Sequence, residues 1–157
     1  GLETLAAEAM QRGMRLAYHH HMGTVVQTAG EIDTLMRRTR SLGLLVDTGH
    51  LVFAGADPLV VLRAHAARVA HVHLKDVRTE VVRRARAEGW SFAAAVRAGV
   101  FTVPGDGGID YVPLFEVLAA SGYAGWLVVE AEQDPRLAPP LCFARLGRDY
   151  VRRAAGV

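Results

Sequence analysis

Residues 42–50 read LGLLVDTGH, an almost unbroken apolar run that ends in an aspartate and a histidine. Such a run predicts a strand buried on both faces, the pattern of a parallel sheet covered by helices. Three further runs also end in side chains that can bind metals or substrates: MRLAYHHH at 14–21, AHVHLKD at 70–76 and GWLVVEAE at 125–132. We expect these four strands to form the framework of the fold.

Segments with helical periodicity separate the strands. We expect helices at 2–12, 28–43, 57–69, 78–99 (one helix or two), 111–122 and 141–153. Asp57 is the expected N-cap of the third helix, and Pro58 its first residue. Alternation of strand and helix fits a doubly wound sheet or a (β/α)8 barrel. The functional groups at every strand end favour the barrel, because its strand ends form one rim. Four strands make half of such a barrel.

The length and composition of the chain are those of one globular domain, spanning residues 1–157. Of its 157 residues, 51% are hydrophobic and 22% charged. No apolar run reaches the roughly 18–20 residues of a membrane span, so no membrane partner is expected. Cys142 is the single cysteine, which fits a reducing compartment and a cytoplasmic location. The chain begins at Gly1 and enters a helix directly, which suggests a domain that is incomplete at its N-terminus.

The basic residues are not arranged as a nucleic-acid surface. The net charge is +2, and the arginines concentrate in 77–90 and 144–153. They alternate with alanine and valine at helical spacing, which favours solvated helix faces over a basic stripe with stacking aromatics. We therefore expect no nucleic-acid partner.

The second and third strands end in residues suited to a divalent cation. Asp47 follows four apolar residues, and a carboxylate there is either a turn residue or the partner of a cation. His71 and His73 lie two apart on a strand and so share a face. Lys75 continues that face, and we expect it to point toward solvent and contact a substrate oxygen. Carboxylate and imidazole ligands without thiolate favour Mn, Co, Mg or Zn.

The first and last strands add further candidates. Glu130 ends the run WLVV, and Glu132 shares its face; we prefer Glu130 as the functional residue. In the triple histidine, period two places His19 and His21 on the inward face and His20 toward the helices. The inward histidines would join the ion site.

The glycine-rich stretch PGDGGID at 104–110 raises the question of a phosphate-binding loop. It lacks the G-x-G-x-x-G spacing, and no strand runs straight into it, so a nucleotide site is not expected. We interpret it as a tight loop in which Asp110 caps the next helix.

The motifs DTGH, HVHLKD, PGDGGIDY and GWLVVEAEQDP, in this order, resemble the xylose-isomerase-like sugar isomerase and epimerase superfamily. YHHHMGT, GVFTVPGDG and VVEAEQDP narrow the resemblance to the inosose dehydratases of myo-inositol catabolism. Members of the family are about twice this long and form complete TIM barrels. The resemblance therefore implies the C-terminal half of the barrel, strands five to eight.

The resemblance also implies a ligand set. Asp47, His73 and Glu130 match three of the four family ligands, and His19 stands where many isomerases have a glutamate. His21 matches the histidine of the isomerase E-x-H motif. A divalent ion, Mn or Co, is the implied cofactor, and glutathione is a second candidate.

The implied reaction is dehydration of 2-keto-myo-inositol (scyllo-inosose) to 3D-trihydroxycyclohexane-1,2-dione through an enediolate. Glu130 or a histidine of 19–21 would do the acid and base work, giving Glu130, His19 and His21 as catalytic candidates. The expected substrate contacts are His50, Lys75 and His71. The expected small-molecule partner is a cyclic polyol ketone.

Three alternatives stay open at this point. An epimerase or isomerase of the same superfamily would give an isomeric product with no loss of water. A non-catalytic half-barrel would need a partner, either a second copy in a homo-oligomer or the missing N-terminal half, because its sheet edges are open. A zinc phosphodiesterase of the same barrel type would want more metal ligands and a basic groove.

Overall fold

The computed structural model describes residues 1–157 and contains a four-stranded parallel sheet. Its strands, in spatial order β1-β2-β3-β6, are β1 (Ala17–His19), β2 (Gly43–Asp47), β3 (Val69–Leu74) and β6 (Leu127–Val129). All three neighbouring pairs run parallel. All four carboxyl ends therefore lie at one edge of the sheet, which is where the functional side chains of the sequence cluster.

Eight α-helices occupy the connections and the termini. They are α1 (Leu2–Gln11), α2 (Ala29–Arg38), α3 (Thr48–Phe53), α4 (Pro58–His65), α5 (Thr79–Ala87), α6 (Phe92–Arg97), α7 (Val112–Ala120) and α8 (Pro140–Ala155). The N-cap expected at Asp57 is confirmed, since its carboxylate accepts the Leu59 N–H at 2.8 Å. Thr28 and Glu31 form a capping box at the start of α2.

The main core lies between the sheet and its helices. Strand residues such as Leu44, Val46 and Val72 are almost completely buried. They belong to one cluster with helix residues such as Ile32 and Leu114. The sheet therefore has helices packed against it, as the apolar runs predict.

All four strands end earlier than the sequence predicts: β1 stops at His19 and β6 at Val129, and the ends of β2 and β3 also change the course of the chain. The strand expected at 42–50 ends at Asp47, and the next residues begin α3 because the Asp47 carboxylate accepts the His50 N–H at 3.1 Å and caps that helix. The strand expected at 70–76 leaves the parallel sheet after Leu74. Asp76–Val77 then forms β4, which pairs antiparallel with β5 (Phe101–Thr102). We did not expect this ribbon.

The glycine-rich loop after β5 wraps around the carboxylate of Asp76. Asp76 Oδ1 accepts the Val77 N–H at 2.7 Å and the Ile109 N–H at 3.0 Å. A Cβ on Gly107 would collide with this carboxylate, so the close approach requires glycine. The N-cap of α7 is Tyr111 and not the expected Asp110, although the Asp110 carboxylate accepts the N–H of Val112, the first helical residue, at 3.1 Å.

Strands β1 and β6 form the two outer edges of the sheet, and each pairs with a single neighbour. Large apolar side chains are exposed around these edges, including Met14 before β1 and Trp126 before β6. A closed (β/α)8 barrel has no such edges, so the sheet is a half-barrel. None of the helices combines the length and the apolarity that a membrane crossing requires.

Candidate active site

The carboxyl ends of the four parallel strands bring together ionisable side chains from distant parts of the sequence. Asp47 at the end of β2 is in register with His73 in β3, and His73 is in register with Val128 in β6. His19 ends β1, and Glu130 directly follows β6. Parallel pairing thus places these residues side by side, although up to 111 positions separate them in the sequence.

Asp47 lies at the centre of this cluster and is completely buried. Its Oδ2 lies 3.3 Å from His19 Nε2, 3.6 Å from His73 Nδ1 and 3.5 Å from Lys75 Nζ. Burial opposes ionisation of Asp47, but His19, His73 and the Lys75 charge outweigh it and hold its pKa well below the usual range. The Asp47 carboxylate is therefore ionised, and contacts among residues of three neighbouring strands fix its position.

His20 supports the backbone of Asp47. The His20 ring is completely buried, and its Nε2 accepts the Asp47 N–H at 3.2 Å. Burial lowers the pKa of His20 to about 4, which keeps the ring neutral and able to accept. Within the triple histidine, His19 therefore contacts the side chain of Asp47, and His20 accepts a hydrogen bond from its main chain.

His73 and Glu130 approach each other beside Asp47. His73 Nδ1 lies 2.7 Å from Glu130 Oε2; both atoms are buried, and neither has a hydrogen bond of normal geometry. The carboxylates of Asp47 and Glu130 raise the pKa of His73 to about 9. The nearby His73 in turn lowers the pKa of Glu130.

These side chains fit a divalent cation. One ligand-type atom from each of Asp47, His73 and Glu130 lies within 4.8 Å of the other two, and the same holds for the group His19, Asp47 and His50. His73 Nδ1 and Glu130 Oε2 are buried without a hydrogen-bond partner, and a shared cation would satisfy both atoms. Two carboxylates with imidazoles suit Mn, Co or Zn. The four expected ligands are thus brought together in one place.

Lys75 lies within the same cluster and is not exposed to solvent, contrary to our expectation. The chain turns out of the sheet after Leu74, and Lys75 is completely buried. Its ammonium donates to His50 Nε2 at 2.9 Å and to Glu132 Oε2 at 3.3 Å, and it lies 3.5 Å from Glu130 Oε1. An ammonium compensated by several carboxylates can remain in the interior.

The residues of the DTGH motif surround Lys75. Thr48 Oγ1 donates to the Lys75 carbonyl at 2.8 Å and accepts the Lys75 N–H at 3.1 Å. Gly49 leaves room for the aliphatic part of the lysine, because a Cβ there would lie 2.7 Å from Lys75 Cγ. Burial lowers the pKa of His50 to about 3, so the neutral ring accepts from the ammonium. The contacts of Thr48 with Lys75 were not expected from the sequence.

A second group of ligand-type side chains lies on the other side of Lys75. His21, His50 and Glu132 each place one such atom within 4.8 Å of the other two. His21 Nε2 and His50 Nε2 each lie 4.0 Å from a Glu132 oxygen. Glu130 and Glu132, which we expected to compete for one role, therefore belong to different groups.

The structure does not bring His71 into either group. It lies two residues before His73 on β3, with 5.3 Å between the two ring centroids, and it belongs to none of the converging groups. Its role as a substrate contact stays a prediction. The other expected site residues, His19, His21, Asp47, His50, His73, Lys75 and Glu130, all lie in the cluster.

A model of the xylose isomerase-like TIM barrel family matches residues 1–153. The chain belongs to this family. This finding confirms the superfamily and the barrel-type fold expected from the motifs.

Several curated proteins are similar to this chain over nearly its whole length. Inosose dehydratase of Geobacillus thermodenitrificans (strain NG80-2) is 56% identical over 159 residues, which is 100% of this chain and 53% of the relative. Inosose dehydratase of Clostridium tetani is 52% identical with the same coverage. The rhizopine catabolism protein MocC of Rhizobium meliloti is 52% identical, over 98% of this chain and 48% of its own length. The chain spans about half the length of these relatives.

Solved structures of the family share the fold. The IolI protein with a bound zinc atom has a TM-score of 0.70 at 17% identity, covering 99% of this chain and 54% of the other. A xylose isomerase domain protein of Alicyclobacillus acidocaldarius has a TM-score of 0.68 at 24% identity, covering 98% and 55%. Both matches cover about half of a longer chain, which agrees with a half-barrel.

Proposed function

We propose that this chain is the strand five-to-eight half of an inosose dehydratase. The proposed reaction converts 2-keto-myo-inositol (scyllo-inosose) to 3D-trihydroxycyclohexane-1,2-dione and water. The observation that carries the proposal is the convergence of Asp47, His73 and Glu130 at one strand-end rim. The similarity of the whole chain to inosose dehydratases, at up to 56% identity, supports this substrate.

Within this proposal Asp47, His73, Glu130 and His19 bind a divalent ion, either Mn or Co. When bound, such an ion supplies the positive charge that polarises a ketone and its neighbouring hydroxyl group. Asp47 is held by His20 and by the cap of α3, so the position of this ligand is fixed before substrate arrives. The carboxylates of Asp47 and Glu130 provide the negative charge that such an ion requires.

The chemical step removes the proton from the carbon next to the ketone and leaves an enediolate. The hydroxyl group on the following carbon then takes up a proton and leaves as water, and the resulting enol rearranges to the 1,2-dione. One side chain must accept the first proton and one must deliver the second. Our candidates are Glu130, His19 and His21; His21 is favoured because Glu130 and His19 are proposed ligands of the ion, whereas His21 belongs to the group with His50 and Glu132.

The proposed contacts of substrate oxygens are His50, Lys75 and His71. In the half-barrel His50 and Lys75 are completely buried, and the lysine ammonium donates to the histidine ring. Their contribution is therefore a fixed local charge and a neutral imidazole at the inner wall of the site. These groups favour an anionic oxygen close to Lys75.

The test is turnover of scyllo-inosose by the chain loaded with Mn²⁺ or Co²⁺, followed by dione absorbance and by product mass. We expect dione formation by the wild type and its loss in His73→Ala. Equal activity of the two proteins would refute the site assignment. An isomeric product without loss of water would identify an epimerase instead.

A parallel sample separates an inactive fragment from a wrong assignment. In that sample the chain is co-expressed with the part of the Geobacillus thermodenitrificans enzyme that it does not match. Activity in the co-expressed sample alone would show that the chain is a half-barrel that needs its partner half. Absence of dione from both samples contradicts the proposed function.

A further inference from the structure

The ammonium of Lys75 contacts the two groups of side chains at the strand-end rim in different ways. It lies 3.5 Å from Asp47 and from Glu130 without a hydrogen bond to either, whereas it donates to His50 at 2.9 Å and to Glu132 at 3.3 Å. Two ligand-type atoms of the group His21, His50 and Glu132 are therefore already occupied, and this group has one carboxylate where the group Asp47, His73 and Glu130 has two. A divalent cation is better matched by the group with two carboxylates.

One ring nitrogen of His21 has a hydrogen-bond partner within the protein, and the other can contact a ligand. His21 Nδ1 lies 2.7 Å from the carbonyl oxygen of Met22, and because a carbonyl only accepts, Nδ1 carries the proton. The other ring nitrogen, Nε2, lies 4.0 Å from Glu132 Oε1, and no hydrogen bond joins the two atoms.

Two polar atoms that face each other beyond hydrogen-bond distance are suited to hydroxyl groups, because a hydroxyl group can both donate and accept. Both side chains are partly exposed, at 29% for His21 and 32% for Glu132, while Lys75 and His50 behind them are completely buried. One hydroxyl group of a polyol can donate to the Glu132 carboxylate, and a neighbouring hydroxyl group can bind His21 Nε2. The Lys75 contact to Glu132 Oε2 fixes the carboxylate and leaves Oε1 directed toward His21.

We propose that Glu132 binds a hydroxyl group of a cyclic polyol, opposite His21, and is not a ligand of the metal ion. Lys75 is the positioning residue, because its ammonium donates to Glu132 Oε2 and orients the carboxylate. The proposed function supplies the substrate class, so this inference rests on it. The two neighbouring glutamates then have separate tasks, with Glu130 on the ion and Glu132 on the substrate.

The experiment compares Glu132→Gln with Glu130→Gln, using Glu116→Gln on the exposed surface of α7 as the matched control. For each protein, Mn²⁺ stoichiometry is measured by equilibrium dialysis, and scyllo-inosose affinity of the Mn²⁺-loaded protein by calorimetry. We expect Glu130→Gln to lose Mn²⁺. Glu132→Gln should keep the Mn²⁺ stoichiometry of the control and bind scyllo-inosose about tenfold more weakly or worse, because a charged acceptor is lost.

Two results would overturn the inference: loss of Mn²⁺ in Glu132→Gln, or scyllo-inosose affinity equal to that of the Glu116→Gln control. Glu132→Asp keeps the carboxylate, and should recover part of the affinity, which guards against a folding defect in the amide variant. Binding and turnover are measured separately. A wild type that binds scyllo-inosose without dehydrating it contradicts the proposed reaction, while the binding comparison still decides the role of Glu132.

Discussion

Gly49 packs directly against the side chain of Lys75. A Cβ built on Gly49 would lie 2.7 Å from Lys75 Cγ and 3.0 Å from its Cβ and Cδ. These atoms are close to the lysine backbone, which Thr48 holds by two hydrogen bonds, so they cannot move aside easily. The glycine of the DTGH motif is therefore required by the packing of the lysine.

We expect Gly49→Ala to destabilise the chain by about 1–3 kcal/mol, the usual cost of an extra methyl group in a packed interior. Urea unfolding followed by circular dichroism measures this change. Gly30→Ala on α2 is the matched control, because a Cβ there meets no atom within 4 Å. The control should be neutral or stabilising by up to about 1 kcal/mol. Equal stabilities of the two variants would contradict the packing argument.

The motifs predict the sheet and the position of its polar strand ends because both depend on short-range patterns. The apolar runs locate β2 and β3, and parallel pairing then places their carboxyl ends together. Asp47 and His73 could therefore be expected in one site from the alternation and order of the strands alone. The family comparisons confirm the barrel-type fold on which this argument depends.

The sequence does not predict where the chain leaves the sheet. The alternation of side chains along a strand places Lys75 on the same face as His73. The chain instead leaves the sheet after Leu74, and hydrogen bonds between the Lys75 backbone and Thr48 keep Lys75 in the interior. Thr48 and Gly49 act through tertiary contacts with a residue more than 25 positions away, and their local pattern carries no sign of it. The separate groups of Glu130 and Glu132 depend in turn on that buried lysine.

The two histidines of the HVHLKD motif should differ in their effect on metal binding. His73 faces Asp47 and Glu130, whereas His71 belongs to no converging group. We expect His73→Ala to lose most of its Mn²⁺ or Co²⁺ in equilibrium dialysis, because one imidazole ligand disappears from a site with few ligands. His71→Ala should keep the stoichiometry of the wild type. Comparable metal loss in the two variants would place the ion elsewhere.

Glu3 should give the chain a pH-dependent contribution to stability. Its carboxylate accepts the N–H groups of Arg40 at 2.9 Å and Ser41 at 3.1 Å, joining α1 to the start of β2. The hydrogen bond from the Arg40 backbone lowers the pKa of Glu3 below its usual value. A lowered carboxyl pKa stabilises the fold at neutral pH, and this contribution disappears as the pH falls through the lowered value.

We therefore expect Glu3→Gln to be less stable than the wild type at pH 7, with a difference that shrinks as the pH is lowered through the glutamate range. Urea unfolding at a series of pH values, with the metal removed, measures it. Glu8→Gln, on the same helix and exposed, is the control that should show no such trend. A constant difference across the pH range would show that the Glu3 carboxylate does not act through its charge.

The exposed tryptophan beside β6 should report closure of the barrel. Trp126 is 78% exposed and directly precedes β6, an outer edge strand of the sheet. A partner half that pairs with this edge would cover the indole and shift its emission to shorter wavelength.

In the variant Trp90→Phe, Trp126 is the single tryptophan of the chain, so its emission can be followed alone. We expect the blue shift when this variant is co-purified with the unmatched part of the Geobacillus relative, and no shift with bovine serum albumin after correction for the emission of the added protein. Co-purification with unchanged Trp126 emission would mean that the partner binds at a surface other than the β6 edge.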